Sequence, residues 1–120
     1  MAAVYDLRVD LEGLPVVDLT ESTRVLGNIK SAQEMLQLLV KQLPKDLEEI
    51  RLVYYEKDWL RLYPLVHKLR GALLYCGVPR LLLVTTKFDN ILKDPSDEGI
   101  IQNLFELFHF EIKNLLDNHG

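Results

Sequence analysis

The chain has 120 residues, of which 48% are apolar and 27% charged, ordinary proportions for a single globular domain. Twenty-five leucines, 8% aromatic residues, six glycines and five prolines favour helices and argue against a β-sandwich or a disordered chain. The net charge of −4 argues against nucleic acid as a partner and against direct membrane contact. The single cysteine, Cys76, excludes an internal disulfide and suits a reducing compartment.

The N-terminal segment has an alternating pattern of apolar and charged residues. Its apolar positions are Tyr5, Leu7, Val9 and Leu11. A period of two predicts an extended strand over residues 4–12, which Gly13 and Pro15 end. Because a lone strand is not stable, we expect residues 1–15 to form an extended arm or linker. An acidic residue at position 6 and the lack of a long apolar run argue against a signal peptide or a membrane span.

Helical patterns begin after this segment. A short helix over residues 19–26 is predicted between the cap Asp18 and the stop Gly27. The capping box Ser31–Glu34 predicts the start of a long helix. Apolar residues continue at spacings of three and four on both sides of Pro44, so this proline is expected to kink the helix without ending it.

Three more helices complete the predicted fold. Asp58 is expected to cap a helix that runs to about Cys76, with Pro64 either distorting its first turn or delaying its start. Gly77 and Pro79 separate it from the next helix. The fourth long pattern follows an acidic turn. The predicted core of the last two helices is Leu81, Val84, Phe88, Ile91 or Leu92, Ile101, Leu104, Phe108, Ile112 and Leu115. Short connections predict an all-α, antiparallel up-down four-helix bundle over residues 16–120, preceded by the short helix.

The second long pattern, from Asp58 to about Cys76, carries a histidine on its polar face. His67 lies about 200° around the helix from Leu65 and Leu69, so it is predicted to point to solvent. Arg70 and Gly71 follow it at three and four residues and share its face. The apolar residues of the same face are Leu60, Pro64 and Leu74.

Each of these residue types suits transfer of a charged group. A neutral imidazole is a good nitrogen nucleophile, and the guanidinium of Arg70 can neutralise a phosphoryl group. A glycine inside a helix costs up to ~1 kcal/mol relative to alanine, which is understandable if a partner approaches closely at Gly71. The alternatives are an ordinary surface histidine, a surface ion pair for Arg70, and helix–helix packing for Gly71.

The positive charge of the chain is concentrated around this histidine. Residues 67–93 carry five basic residues and one acidic residue, a net charge of +4, whereas the rest carries nine basic and seventeen acidic residues, a net charge of −8. The basic residues are Lys68, Arg70, Arg80, Lys87 and Lys93. We therefore expect this region to attract a phosphorylated or acidic partner site.

The segment His67-Lys-Leu-Arg-Gly71, followed by Gly77, resembles the signature of the histidine phosphotransfer (HPt) domain. The longer stretch Leu65–Arg80 is similar to the HPt domain that ends hybrid sensor kinases of the BarA/GacS type. The resemblance covers residues 16–118. The family is a helical bundle, which agrees with the fold predicted above.

The resemblance implies a phosphorelay intermediate. His67 would accept a phosphoryl group from a receiver-domain aspartate, Arg70 would replace a more usual lysine, and Gly71 would lie under the docked receiver. The remaining expected phosphate or receiver contacts are Lys68, Leu60, Pro64, Leu74 and Gly77. The implied partners are the receiver of the same hybrid kinase, which supplies Mg²⁺, and a downstream response regulator, with no cofactor held by this chain itself. The implied location is the cytoplasmic C-terminal part of an inner-membrane sensor kinase. Asp89 is expected to be unfavourable beside a phosphohistidine and receives no role.

Other chemistries fit the sequence less well. A kinase dimerisation helix typically has glutamate after the histidine, whereas this chain has Lys68, and 120 residues leave no room for an ATP-binding domain, so no kinase activity of its own is expected. Cys76 lies about 180° from His67 around the helix, so no metal site is expected. A non-catalytic helical docking module, in which His67 is incidental, stays open as the alternative function.

Overall fold

The computed structural model describes the backbone of residues 2–119 and the side chains of residues 7–119. This part of the chain is all-α, as predicted, and contains no strand. The helices are α1 (Ala2–Glu12), α2 (Thr20–Leu26), α3 (Ile29–Tyr55), α4 (Trp59–Leu73), α5 (Pro79–Leu92) and α6 (Glu98–His119).

The N-terminal segment is a helix, so the predicted extended arm within residues 1–15 is wrong. Leu7 and Leu11, four residues apart, are both buried, and α1 packs against α5 and α6. Val9, which the alternating pattern placed on the same face, is exposed. Two apolar residues four apart satisfy a helical face as well as a strand face, and burial against two existing helices favours the helix. The side chain of Tyr5 lies outside the described residues.

The next two helices are fixed by caps close to those predicted. The backbone N–H of Thr20 donates to Asp18 Oδ1 at 3.0 Å, and hydrogen bonding from the side chain and the backbone of Thr20 lowers the pKa of the Asp18 carboxyl. Gly27 ends α2 at a φ of +93°. The long helix α3 begins earlier than the predicted capping box, because Asn28 accepts the N–H of Ser31 at 2.8 Å. As predicted, the helix continues through Pro44.

Helix α4 carries the histidine. Its cap is Asp58, whose Oδ1 accepts the N–H of Arg61 at 3.2 Å, as the sequence predicts. Pro64 lies inside the helix and neither delays its start nor ends it. The helix ends at Leu73, three residues before the predicted end, and a turn leads to α5, which begins at Pro79 as predicted.

Gly77 joins this turn to α2. Its φ is +71°, and its carbonyl oxygen accepts the N–H of Asp18 at 2.9 Å. A Cβ at this position would lie 2.7 Å from Leu19 Cδ2 and 2.8 Å from the Asp18 carbonyl oxygen. The glycine is therefore required by close packing within the chain, and this packing is reason enough for it without the receiver contact expected from the sequence, which stays a prediction.

The core lies among the four longest helices. Helix α3 packs against α4 and α6, and α5 packs against the same two helices. The apolar residues predicted for the core of α5 and α6 are buried, and of the alternatives Ile91 and Leu92, Leu92 is buried and Ile91 is only partly buried. Cys76 is also buried, and this burial raises the pKa of its thiol. Across residues 2–119, no helix combines the length and the apolar character needed to cross a membrane.

Candidate functional site

His67 lies on the outward face of α4. Its side chain is 54% exposed, whereas Val66 and Leu69 on either side are buried in the core. The helical spacing therefore predicted its orientation correctly. A partner in solution can reach the imidazole directly.

The neighbouring helix α5 places a buried carboxylate against this imidazole. Asp89 is only 2% exposed, and its Oδ1 lies 3.0 Å from Nδ1 of His67. Its second oxygen, Oδ2, lies 3.9 Å from Nζ of Lys93, one turn further along α5. Sequence reasoning considered Asp89 and set it aside, so this contact was missed.

The contact with Asp89 determines which nitrogen of His67 is free. A carboxylate only accepts hydrogen bonds, so this hydrogen bond requires the proton to be on Nδ1. In a neutral imidazole, the lone pair is then on Nε2, at the other edge of the half-exposed ring. The site thus presents a single nucleophilic nitrogen.

A second side chain, Tyr63, lies against the face of the imidazole. The two rings are stacked, with centroids 5.4 Å apart and planes 27° apart, and the Tyr63 hydroxyl is 3.5 Å from Nδ1 of His67. Tyr63 was not singled out from the sequence. Its spacing of four residues from His67 on one helix is the signal that could have found it.

Arg70 follows His67 by one turn and contacts α5. The side chain is half-buried, and its Nε donates to Oγ1 of Thr86 at 3.2 Å. This bond occupies one of the five N–H donors of the guanidinium and holds the side chain against the bundle. Lys68, the neighbouring predicted phosphate contact, is exposed.

The outward side of α4 forms a continuous surface, which we call the docking face. Its residues are Leu60, Pro64, His67, Gly71 and Leu74, all exposed, and Leu60 is 91% exposed. A Cβ built on Gly71 would meet nothing within 4 Å. Helix–helix packing within the described chain therefore does not explain the glycine.

The positive charge predicted around His67 is only partly available to a partner. Arg80 is 19% exposed, and its Nε and Nη2 donate to the two carboxylate oxygens of Glu111 at 3.0 and 2.8 Å. Its charge is therefore neutralised between α5 and α6. Lys68 and Lys87 are exposed.

Cys76, the other residue considered for a metal site, does not share the exposed surface of His67. Cys76 is buried, whereas His67 is exposed. Among the described side chains, residues 7–119, no three of His, Cys, Asp or Glu are grouped so that they could hold a metal ion.

Comparison with known protein families identifies the family to which this chain belongs. The family model described as "Hpt domain" matches residues 34–119. The chain belongs to the Hpt domain family. This Hpt domain is 35% identical over 97 residues to the sensor histidine kinase GacS of Pseudomonas protegens, an alignment that covers 80% of this chain and 10% of that protein. It is 34% identical over 92 residues to the sensor protein GacS of Pseudomonas syringae pv. syringae, covering 74% of this chain and 10% of that protein.

The chain therefore spans about a tenth of the length of these curated relatives. No solved structure gives a significant match to this Hpt domain. The resemblance inferred from the sequence is confirmed, and the domain has a histidine phosphotransfer role in two-component signalling.

Proposed function

We propose that this Hpt domain is a phosphorelay intermediate whose phosphoacceptor is Nε2 of His67. It accepts a phosphoryl group from the aspartyl phosphate of a receiver domain and passes it to a response regulator. The observation that carries the proposal is the 3.0 Å contact between Nδ1 of His67 and the buried Asp89, which leaves Nε2 as the outward nucleophile.

The proposed step needs no proton transfer. The lone pair of Nε2 attacks phosphorus, the N–P bond forms, and the bond from phosphorus to the receiver's aspartate oxygen breaks, leaving a free carboxylate. The proton stays on Nδ1, so the phosphorylated ring of His67 is cationic and faces the carboxylate of Asp89. When a second receiver accepts the phosphoryl group, the N–P bond breaks and a neutral imidazole leaves. Asp89 thus stabilises the intermediate by charge and favours a good leaving group.

Arg70 is proposed to neutralise the transferring phosphoryl group. Thr86 holds its Nε at 3.2 Å, and the terminal nitrogens keep N–H donors that can contact phosphoryl oxygens. Lys68 adds an exposed positive charge beside His67. Phosphoryl transfer depends mainly on such positioning and charge neutralisation.

The docking face is proposed as the surface on which receivers bind. Leu60, Pro64 and Leu74 offer apolar contacts around His67, and Gly71 leaves room for a partner's backbone. Mg²⁺ is proposed to come with the receiver. Asp89 is the carboxylate at the imidazole, and its oxygens face His67 and Lys93, which does not suit an ion that prefers several oxygen ligands.

The names of the two relatives support a proposal about the protein to which this domain belongs. Both are named as GacS sensor proteins, which supports a cytoplasmic domain of a hybrid sensor kinase whose own receiver is the donor.

We also propose that α3–α6 form an antiparallel up-down four-helix bundle. The short connections between these helices and the packing of α3 and α5 against both α4 and α6 support this arrangement.

The test is transfer from a radiolabelled receiver. The receiver of the parent kinase, phosphorylated on its aspartate, is mixed with the domain and with the variants His67→Gln and His109→Gln. His109, a half-buried histidine stacked on Phe105 in α6, is the matched control. We expect labelling of the wild type and of His109→Gln, complete loss in His67→Gln, and a bond that is labile in acid and stable in alkali.

Two results would contradict the proposal. If the wild-type domain binds the receiver but takes up no label, it acts as a non-catalytic docking module. If His67→Gln is labelled as fast as the wild type, another residue is the phosphoacceptor.

A further inference from the structure

Tyr63 is placed to control the orientation of the His67 ring. It lies one turn before His67 on α4 and packs against the core with part of its side chain. The ring separation of 5.4 Å and the interplanar angle of 27° are those of an offset stack. The imidazole therefore has a neighbour at its face as well as at its Nδ1 edge.

One hydrogen bond alone does not fix the plane of an imidazole. The bond to Asp89 holds one atom of the His67 ring, so the ring can still pivot about that atom, and it can turn over about its χ2 bond whenever the hydrogen bond opens. With 54% of the side chain exposed, the rest of the bundle restricts these motions only partly. A stacked aromatic ring supplies the second constraint, because turning the imidazole would break the contact between the two faces.

The ring of Tyr63, and not its hydroxyl, makes the effective contact. The hydroxyl oxygen is 3.5 Å from Nδ1 of His67, whereas Asp89 Oδ1 is 3.0 Å from the same atom. Nδ1 carries one proton, and a charged acceptor at shorter distance makes the stronger bond. The phenol oxygen is therefore dispensable for holding the imidazole.

We propose that Tyr63 is a positioning residue whose ring face keeps Nδ1 of His67 on Asp89 and Nε2 directed outward. The same face stabilises the cationic ring that phosphorylation of Nε2 creates, because a cation within about 6 Å of an aromatic centroid is attracted by the π system. This second part rests on the proposed function, whereas the first concerns the unphosphorylated domain.

Nitrogen NMR of the domain labelled with ¹⁵N-histidine tests the first part. The ring ¹⁵N shifts of His67 report which nitrogen carries the proton, and the variants are Tyr63→Phe, Tyr63→Leu and Tyr63→Met. The control Tyr75→Leu removes an exposed tyrosine beyond the end of α4. We expect Tyr63→Phe and Tyr75→Leu to keep the wild-type shifts, and Tyr63→Leu and Tyr63→Met to move them towards a mixture of both neutral tautomers.

Two outcomes of this measurement would overturn the positioning role. The first is wild-type shifts in both folded variants that lack an aromatic ring at position 63. The second is a change in Tyr63→Phe as large as in Tyr63→Leu, which would assign the effect to the hydroxyl. Thermal unfolding of each variant identifies those that stay folded, and methionine is included because its unbranched, flexible side chain adapts to the gap left by the ring in a different way from leucine.

The second part is tested by the equilibrium between phosphorylated domain and phosphorylated receiver. Loss of the ring face in Tyr63→Leu should shift this equilibrium towards the receiver by about 2- to 10-fold, and Tyr63→Phe should restore it. An unchanged equilibrium in Tyr63→Leu would remove the role in stabilising the phosphorylated ring. If His67 is not labelled at all, the proposed function fails, and the NMR result still decides whether Tyr63 positions the imidazole.

Discussion

Two buried carboxylates of this domain face basic side chains, with different consequences. Glu111 on α6 accepts two hydrogen bonds from Arg80, at 3.0 and 2.8 Å, and both partners are largely removed from solvent. Asp89 on α5 contacts the half-exposed His67 through one oxygen at 3.0 Å, and its other oxygen lies 3.9 Å from Lys93. In the Arg80–Glu111 contact, which we call the closed contact, both side chains are largely buried. In the His67–Asp89 contact, which we call the open contact, one ring nitrogen of His67 is left towards solvent.

The difference separates a structural contact from a chemical one. Arg80 directs its fork at both oxygens of Glu111, which ties α5 to α6. His67 has two ring nitrogens, and Asp89 engages one of them; in the proposed function the same kind of buried carboxylate prepares the other nitrogen for reaction. Three changes test whether the two contacts divide stability and chemistry in this way.

The largest expected effect is on stability, at the closed contact. Arg80→Met leaves Glu111 buried without its partner, and we expect the free energy of unfolding to fall by about 3 kcal/mol, because an uncompensated buried charge is costly. Urea denaturation followed by circular dichroism measures this loss. The double variant Arg80→Met/Glu111→Leu should recover most of it, since it replaces the pair with apolar side chains.

Transfer to His67 per folded molecule should be unchanged in Arg80→Met. A loss of stability below about 1 kcal/mol would show that the Arg80–Glu111 contact is only a surface ion pair. A large fall in transfer with intact folding would show that the two contacts are not independent.

The open contact is tested by Asp89→Asn. An asparagine amide can accept from Nδ1 of His67 or donate to it, so the imidazole is no longer restricted to the tautomer with a free Nε2. A hydrogen bond to a charged group is worth about 1.5–3 kcal/mol, and the neutral amide gives up the charge and the selection of one tautomer, so we expect transfer to slow by about 10- to 100-fold. Rapid-quench measurement of phosphoryl transfer gives the rate.

Stability should change less in Asp89→Asn than in Arg80→Met. The amide has nearly the shape of the carboxylate and can still bond to His67. If transfer is as fast as in the wild type, Asp89 does not select the reactive nitrogen. If the domain instead unfolds as readily as Arg80→Met, the contact of Asp89 is structural, and the comparison fails.

The sequence predicts what depends on nearby residues and misses what depends on helix packing. The cap Asp58, the bond of Asp18 to the first residue of α2 and the outward direction of His67 follow from spacings of a few residues along the chain. Asp89 lies 22 residues after His67, and only the packing of α4 on α5 brings them together. The expectation that Asp89 is unfavourable beside a phosphohistidine did not include its 3.0 Å contact with Nδ1 of His67, an edge of the ring that donates when it carries the proton.

Arg80 and helix α1 show the same limit of prediction from nearby residues. Arg80 was counted with the positive charge around His67, but its partner Glu111 is 31 residues away on α6. The α1 helix was predicted as a strand because Leu7 and Leu11 fit both periods, and their burial against α5 and α6 favours the helix. Local pattern alone could not decide either case.

The smallest expected change in the free energy of unfolding is at Gly71, which lies on the docking face one turn after His67. A Cβ there meets nothing within 4 Å, so Gly71→Ala should raise the free energy of unfolding by about 0.5–1 kcal/mol through the lower backbone entropy of the unfolded chain. The matched variant Gly71→Leu should also stay folded. Both should slow transfer, leucine more than alanine, because each added carbon occupies space on the docking face that we assign to the receiver.

Urea denaturation and the transfer rate, measured on the same preparations, decide this point. Higher stability together with slower transfer would show that Gly71 is kept for the partner at a cost to the fold, the reverse of Arg80, whose removal costs the fold and spares transfer. Transfer at the wild-type rate in Gly71→Leu would show that no close approach occurs at this position. The receiver would then have to reach Nε2 of His67 from the side of Leu60 and Pro64, and substitutions at those two residues would carry the loss instead.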